Sequence, residues 1–234
     1  MIELHEVTKR YGPLTAVDQI TLSVEKGEYF ALLGPNGAGK TTVVKMLLDF
    51  TRPTSGTLSL SGISSKDPAC RSAVGYLAEN PRIPPNLTGW QYLQRSSELL
   101  GMRRSESIEQ SGKIVELIGM KGREHTKVGT YSRGMIQRFG LGAALIGNPK
   151  LLILDEPTSG LDPIGIREIR QLLESLKQKG MTILLNSHLL SEVEKICDTA
   201  AIVNNGKLLI KDSISSIIRD GETLEDVFVR IVKG

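Results

Sequence analysis

The chain has 234 residues, 40% hydrophobic and 24% charged, the balance of a globular protein large enough to bury its own core. Its 29 basic and 26 acidic residues leave a net charge of +3. Scattered along the chain, they exclude a nucleic-acid binder that works through a basic stripe. Cys70 and Cys197 stand far apart with no metal-ligating neighbours, so free thiols in a reducing compartment are expected and a disulfide or zinc framework is excluded.

The N-terminal "MIELHEVTKRYG" alternates polar and apolar residues and lacks the apolar core of a signal peptide. "IELHEVT", "QITLSVE" and "EYFALLG" read as strands, the last apolar throughout and ending at glycine. "KTTVVKMLLDF" predicts a helix with Val43, Met46, Leu47 and Phe50 on one face. "GTLSLSG" is a short strand, and "AVGYLAE" is a buried one stopped by the breaker-rich "NPRIPPNLTG". From Thr88 the pattern turns helical, with apolar faces in "WQYLQRSSELLG", "SIEQSGKIVELIGM" and "GMIQRFGLGAALIG".

"KLLILDE" returns to a strand, then "PIGIREIRQLLESLKQKG" to a helix, and "MTILLNS" to a strand followed by a helix. "TAAIVNNGKLLIK" carries a hairpin signal, and "TLEDVFVRIVKG" closes with an apolar stripe of Leu224, Val227, Phe228, Ile231 and Val232. Strands alternating with helices predict an α/β fold with a wound, mainly parallel sheet and an N-terminal antiparallel β part. The expected organisation is one domain over 1–234, with residues 1–80 and 148–234 forming the core and 81–147 an inserted helical subdomain. No apolar run reaches the roughly 18 residues of a membrane span, so a membrane role is expected to act through a partner.

"GPNGAGKT" at 34–41 has the spacing of a phosphate-binding P-loop and lies between an apolar strand and a helix. Gly34, Pro35, Asn36, Gly37, Ala38 and Gly39 are expected to curl so that backbone N–H groups face one concavity, at the positive end of the helix. Lys40 would reach the β- and γ-phosphates, Thr41 would offer its hydroxyl to magnesium, and Thr42 would support the α-phosphate side. "LLILDEP" then brings Asp155 and Glu156 out at a strand C-terminus, where wound sheets hold ligands. Asp155 suits a magnesium ligand, and Glu156 a general base that polarises water. His188, just past "MTILLNS", is placed to hydrogen-bond a γ-phosphate; His5 and His125 have no such context.

Taken together, these motifs resemble the nucleotide-binding subunit of ATP-binding cassette (ABC) transporters over essentially the whole chain. The resemblance implies that Tyr11 in "KRYG" stacks on adenine, that "SGLD" at 159–162 is the D-loop with Asp162 at the nucleotide, and that His188 is the switch histidine. "YSRGM" at 131–135 stands where that family carries a signature loop, most often Leu-Ser-Gly-Gly-Gln. Ser132 and Gly134 are retained; Tyr131, Arg133 and Met135 depart from the common form. Glu79 stands where glutamine is usual; a carboxylate there can still ligate magnesium but adds negative charge near the phosphates.

The resemblance further implies ATP and Mg2+ as cofactors. It implies a second copy of such a subunit as head-to-tail partner, a separate membrane permease, and a place on the cytoplasmic face of the membrane. Nucleic acid is not an expected partner. "YSRGM", Glu79 and the short C-terminus resemble the exporter-type branch, and the region 81–101, with Trp90 and Tyr92, is expected to meet the permease, although Trp90 reads equally as core of the helical subdomain. Two alternatives stay open: a non-transport ABC ATPase, and a small-molecule P-loop kinase, which would leave "YSRGM", "SGLD" and His188 without a purpose.

Overall fold

The computed structural model describes residues 1–219 and 221–233; Asp220 and Gly234, the latter ending the predicted C-terminal helical segment, lie outside the described residues. In chain order the first strands are β1 (Ile2–Tyr11), β2 (Leu14–Val24) and β3 (Tyr29–Leu33). They lead to α1 (Lys40–Leu47), β4 (Ser55–Leu60), β5 (Ile63–Ser64) and β6 (Val74–Leu77). The helices α2 (Gly89–Leu99), α3 (Arg104–Leu117) and α4 (Arg133–Leu145) follow. Then come β7 (Leu151–Asp155), α5 (Pro163–Gln178), β8 (Thr182–Asn186), α6 (Leu190–Ile196), β9 (Thr199–Asn204), β10 (Lys207–Ser213), α7 (Ile214–Ile217) and α8 (Leu224–Lys233).

The chain divides into two compact units, Met1–Ser72 with Gly180–Gly234, and Ala73–Lys179. In the first, β2, β1, β4 and β5 form an antiparallel sheet whose alternation puts Ile2, Leu4, Val7, Ile20, Leu22 and Val24 inside. Beside it β9, β3 and β8 run parallel, and β10 folds back on β9. Every residue of β3 is 0% exposed, as expected of a strand covered on both faces. Asn205 and Gly206, both at positive φ, make the tight turn that "NNG" predicts between β9 and β10.

In the second unit β6 and β7 pair in parallel, with Tyr76 opposite Ile153 and Leu77 opposite Leu154. The subdomain expected over 81–147 falls inside this unit, which also holds β6, β7 and α5. Helix α2 starts at a capping box, Thr88 accepting from the Gln91 N–H while the Gln91 side chain accepts from that of Thr88. The amphipathic α5 buries Ile169, Leu172, Leu173 and Leu176 behind Pro163 at its first turn.

The predicted helix over 40–50 ends earlier, at Leu47. Asp49 turns to φ 61, and Phe50 is 69% exposed instead of packing with Val43, Met46 and Leu47. The apolar spacing was a true signal for three residues and a coincidence for the fourth. β5, α7 and the 3₁₀ turns are too short to have a period.

Candidate active site

In the first unit the loop 34–39 joins β3 to α1. A Cβ at Gly34 would lie 2.2 Å from the Val203 carbonyl oxygen, and one at Gly39, at φ 108, would lie 2.4 Å from that of Ala16. Only glycine lets the loop lie this close to β2 and β9. Ala38 is 3% exposed; its N–H donates to the Pro35 carbonyl at 3.1 Å, and its carbonyl accepts from Gly206 N–H at 3.0 Å. The loop is thus clamped from inside, while Asn36 and Gly37 are exposed. The Lys40 ammonium folds over it, donating to the carbonyls of Gly34 at 2.5 Å and Pro35 at 3.1 Å. Thr41 and Thr42 open α1 beside it, Thr41 exposed and Thr42 half-buried.

Because β3 and β8 are parallel neighbours, the loop after β3 and the Ser187–His188 turn after β8 emerge at the same end of the sheet. The structure therefore brings His188, exposed, to the edge that carries the P-loop. Tyr11, 44% exposed, ends β1 with the Lys9 ammonium 5.0 Å from its ring centroid.

In the second unit the parallel pairing of β6 and β7 puts Glu79 and the pair Asp155–Glu156 past the same ends of neighbouring strands. Glu156 is 9% exposed and sits at φ 50, a left-handed backbone that a glutamate adopts only at a cost of about 1 kcal/mol or more. Its carbonyl accepts from the Ser159 N–H at 3.1 Å, closing the turn. Burial, and then the charge of Asp155, hold the Tyr76 hydroxyl above the usual phenol range.

Among the described residues no cluster of three His, Cys, Asp or Glu could hold a metal by itself. In the second unit the carboxylates of Asp155 and Glu79, and in the first the Thr41 hydroxyl, are each hard-oxygen donors, the kind magnesium takes one or two of while drawing the rest from phosphate and water.

Ser132 caps α4, its Oγ accepting from Met135 N–H at 3.3 Å, and remains exposed. At Gly134 a Cβ would meet only Leu161 at 3.7 Å and Ser132 Oγ at 3.9 Å, ordinary contact distances. Nothing inside this unit thus requires glycine there. Asp162 caps α5, its Oδ1 accepting from Gly165 N–H at 2.7 Å. Ser132, Arg133, Gly134, Gly160, Asp162 and Gly165 line one open depression of about 520 Å³.

A family model described as "ABC transporter" matches residues 17–159, which holds the P-loop, the YSRGM turn and the carboxylate pair. The chain belongs to the ABC transporter family.

Its relatives include the bacitracin transport ATP-binding protein BcrA of Enterococcus faecalis, 43% identical over 93% of this chain and 70% of that protein. The lantibiotic transport ATP-binding protein SrtF of Streptococcus pyogenes is 36% identical over 97% of this chain and 96% of its own length. An uncharacterized ABC transporter ATP-binding protein of Nostoc sp. is 43% identical, and the chain spans 61% of it. Among solved structures, an ATP-binding subunit of an ABC transporter matches with a TM-score of 0.89 at 28% identity, covering 99% of both chains. This cassette is accordingly an ABC ATP-binding subunit of the P-loop NTPase fold.

Several supporting residues of the cassette escaped the sequence reading. Tyr131, a departure in the signature, is 9% exposed and stacks on Phe139 at 5.2 Å. Its hydroxyl lies 2.6 Å from the carbonyl oxygen of Arg123 and 3.1 Å from that of Thr126. Arg138 pairs with Glu168 and donates to the Ile118 carbonyl at 3.2 Å, and burial lowers its pKa. Its partner stands 30 positions away, with no periodicity to announce it.

Trp90, read as either a permease contact or core, is half-buried, its ring 5.7 Å from that of His125. No described helix is long and apolar enough to cross a membrane.

Proposed function

We propose that this cassette hydrolyses ATP and drives transport, in the direction of export, through a separate membrane permease on whose cytoplasmic face it sits. The observation that carries the hydrolytic part is Glu156: a buried carboxylate in a strained turn, directly after Asp155 at a strand C-terminus. Strain of that kind is kept where a side chain must be aimed.

Glu156 takes a proton from a water molecule as the water oxygen bonds to the γ-phosphorus and the bond to the bridging β–γ oxygen breaks, giving ADP and phosphate. Lys40 exchanges the carbonyls of Gly34 and Pro35 for β- and γ-phosphate oxygens, and the remaining backbone N–H groups of the loop and of the start of α1 cradle the rest. Tyr11 stacks on adenine with the ring face away from Lys9, and His188 hydrogen-bonds the γ-phosphate. Thr41, Asp155 and Glu79 would hold magnesium, which when bound supplies neutralising charge on the phosphates.

The outer side of the γ-phosphate falls to a second copy, arranged head to tail. The exposed Ser132 of that copy donates its hydroxyl, Gly134 gives backbone room and Asp162 borders the nucleotide. A glycine that its own fold does not require supports this reading, because close approach from outside is what would require it. ATP then favours the closed pair and ADP does not. Relatives named for bacitracin and lantibiotic transport support the coupling to transport.

The decisive variant is Glu156→Gln. Steady-state hydrolysis is expected to fall by about 10²-fold or more while ATP binding persists and ATP-bound dimer accumulates. Unchanged turnover would refute the assignment of Glu156.

A further inference from the structure

Arg133 is the least explained residue of the signature, since its charge suggests a phosphate contact. Its guanidinium is spent elsewhere. A Cβ built on Gly160 would lie 2.2 Å from Nη1, 2.4 Å from Cζ and 2.9 Å from Nε of Arg133. The planar group therefore fills the space that any side chain at 160 would need. Gly160 also sits at φ 67 in the "SGLD" loop, where the backbone selects glycine, and a side chain there would push the guanidinium off its place. The Nη2 atom stands 3.5 Å from Ser159 Oγ on one side and 3.5 Å from Asn80 Oδ1 on the other.

Those polar contacts are long, and each is weak alone. What matters is which segments they join. Asn80 follows Glu79 after β6, Ser159 and Gly160 follow Glu156 after β7, and Arg133 opens α4. All lie within the same compact unit.

We infer that Arg133 is a positioning residue that clips the signature turn to the loops after β6 and β7 of its own subunit, so that the three shift as one piece. It acts through Gly160, Ser159 and Asn80 and does not touch nucleotide. A guanidinium suits this task better than an ammonium: it is flat enough to lie on a glycine and presents donors at fixed angles to acceptors on two sides. The inference rests on the proposed hydrolytic function, because the clip matters only if the signature turn and Glu156 serve one reaction cycle.

The test is a double-mutant cycle of Arg133→Ala and Gly160→Ala, reading kcat and KM for ATP together with amide hydrogen exchange. Arg133→Ala should lower kcat while KM for ATP moves less than about twofold, and should speed exchange at 159–161 without changing it in α4 beyond Arg138. Gly160→Ala carries its backbone strain in both backgrounds, which cancels. Its collision with the guanidinium disappears when Arg133 is gone. The loss in kcat on Gly160→Ala should therefore be smaller, by about threefold or more, in the Arg133→Ala background. Arg133→Lys should behave like Arg133→Ala.

Independent, multiplicative losses would overturn the inference, as would a KM rise at constant kcat, which marks a nucleotide contact. Multiplicative losses beside an inactive Glu156→Gln would defeat this inference alone; normal turnover of Glu156→Gln would defeat the function beneath it. Thermal unfolding of each variant identifies a fold defect, and a global loss of exchange protection in Arg133→Ala would also overturn the inference.

Discussion

Ser132 and Gly134 differ in what their own subunit asks of them. Ser132 caps α4, so its loss would disturb the fold and the proposed chemistry together. Gly134 separates the two, because a methyl group there meets nothing closer than 3.7 Å. Alanine is also the better helix former at this second residue of α4, by up to about 1 kcal/mol. Gly134→Ala is expected to unfold at equal or higher denaturant concentration while ATP turnover drops on the order of 10²-fold. Full activity in a folded Gly134→Ala protein would remove the reason for placing a phosphate against this turn.

The residues proposed to carry the chemistry were legible because phosphate binding imposes a local spacing: "GPNGAGKT" and "LLILDE" can be recognised without knowing what surrounds them. Tyr131 and Arg133 were visible only as departures. Their partners, the carbonyl of Arg123 on one side and Gly160, Ser159 and Asn80 on the other, are set by how loops meet. No periodicity encodes a contact of that kind.

At the scale of elements the reading from periodicity held where a strand or helix is long and one-sided, and failed at ends. β3, β7 and β8 are apolar because parallel strands are covered on both faces, and that pattern is legible. The end of α1 was misplaced because Asp49 leaves helical geometry before Phe50 is reached, a local choice with no apolar signature.

The last helix shows electrostatics that can be tested. At α8 Thr223 N–H donates to Asp226 Oδ2 at 2.9 Å and Asp226 N–H to Thr223 Oγ1 at 3.2 Å, a reciprocal cap. Arg230 forks onto Glu222, Nε to Oε1 at 3.1 Å and Nη2 to Oε2 at 3.0 Å. The Thr223 hydroxyl and N–H hold the Asp226 carboxyl below its usual range, and Arg230 does the same for Glu222. A depressed carboxyl pKa stabilises above its unfolded value and loses that contribution as pH falls through the folded one. Amides of α8 are therefore expected to exchange faster, relative to those of β3, once pH drops below about 4. Glu222→Gln should lose part of that dependence. A constant ratio down to pH 3 would show that these contacts do not secure the helix.

On the scale of the whole molecule, each chain brings one of each part the proposed site needs: a P-loop, His188, a carboxylate pair and the YSRGM turn. The family membership explains why they occur together in one chain. The head-to-tail pair is the central claim, since it alone gives the exposed Ser132 and the half-buried Gly134 a phosphate to meet.

Mixing two inactive variants measures this directly. Lys40→Ala disables the P-loop side and Gly134→Asp the signature side, and each alone should hydrolyse almost no ATP. In an equimolar mixture half of the dimers are mixed, and in each of those one composite site has both halves intact. Activity should return to about a quarter of the unaltered protein's. A mixture that forms dimers yet stays as inactive as its components would contradict the shared site.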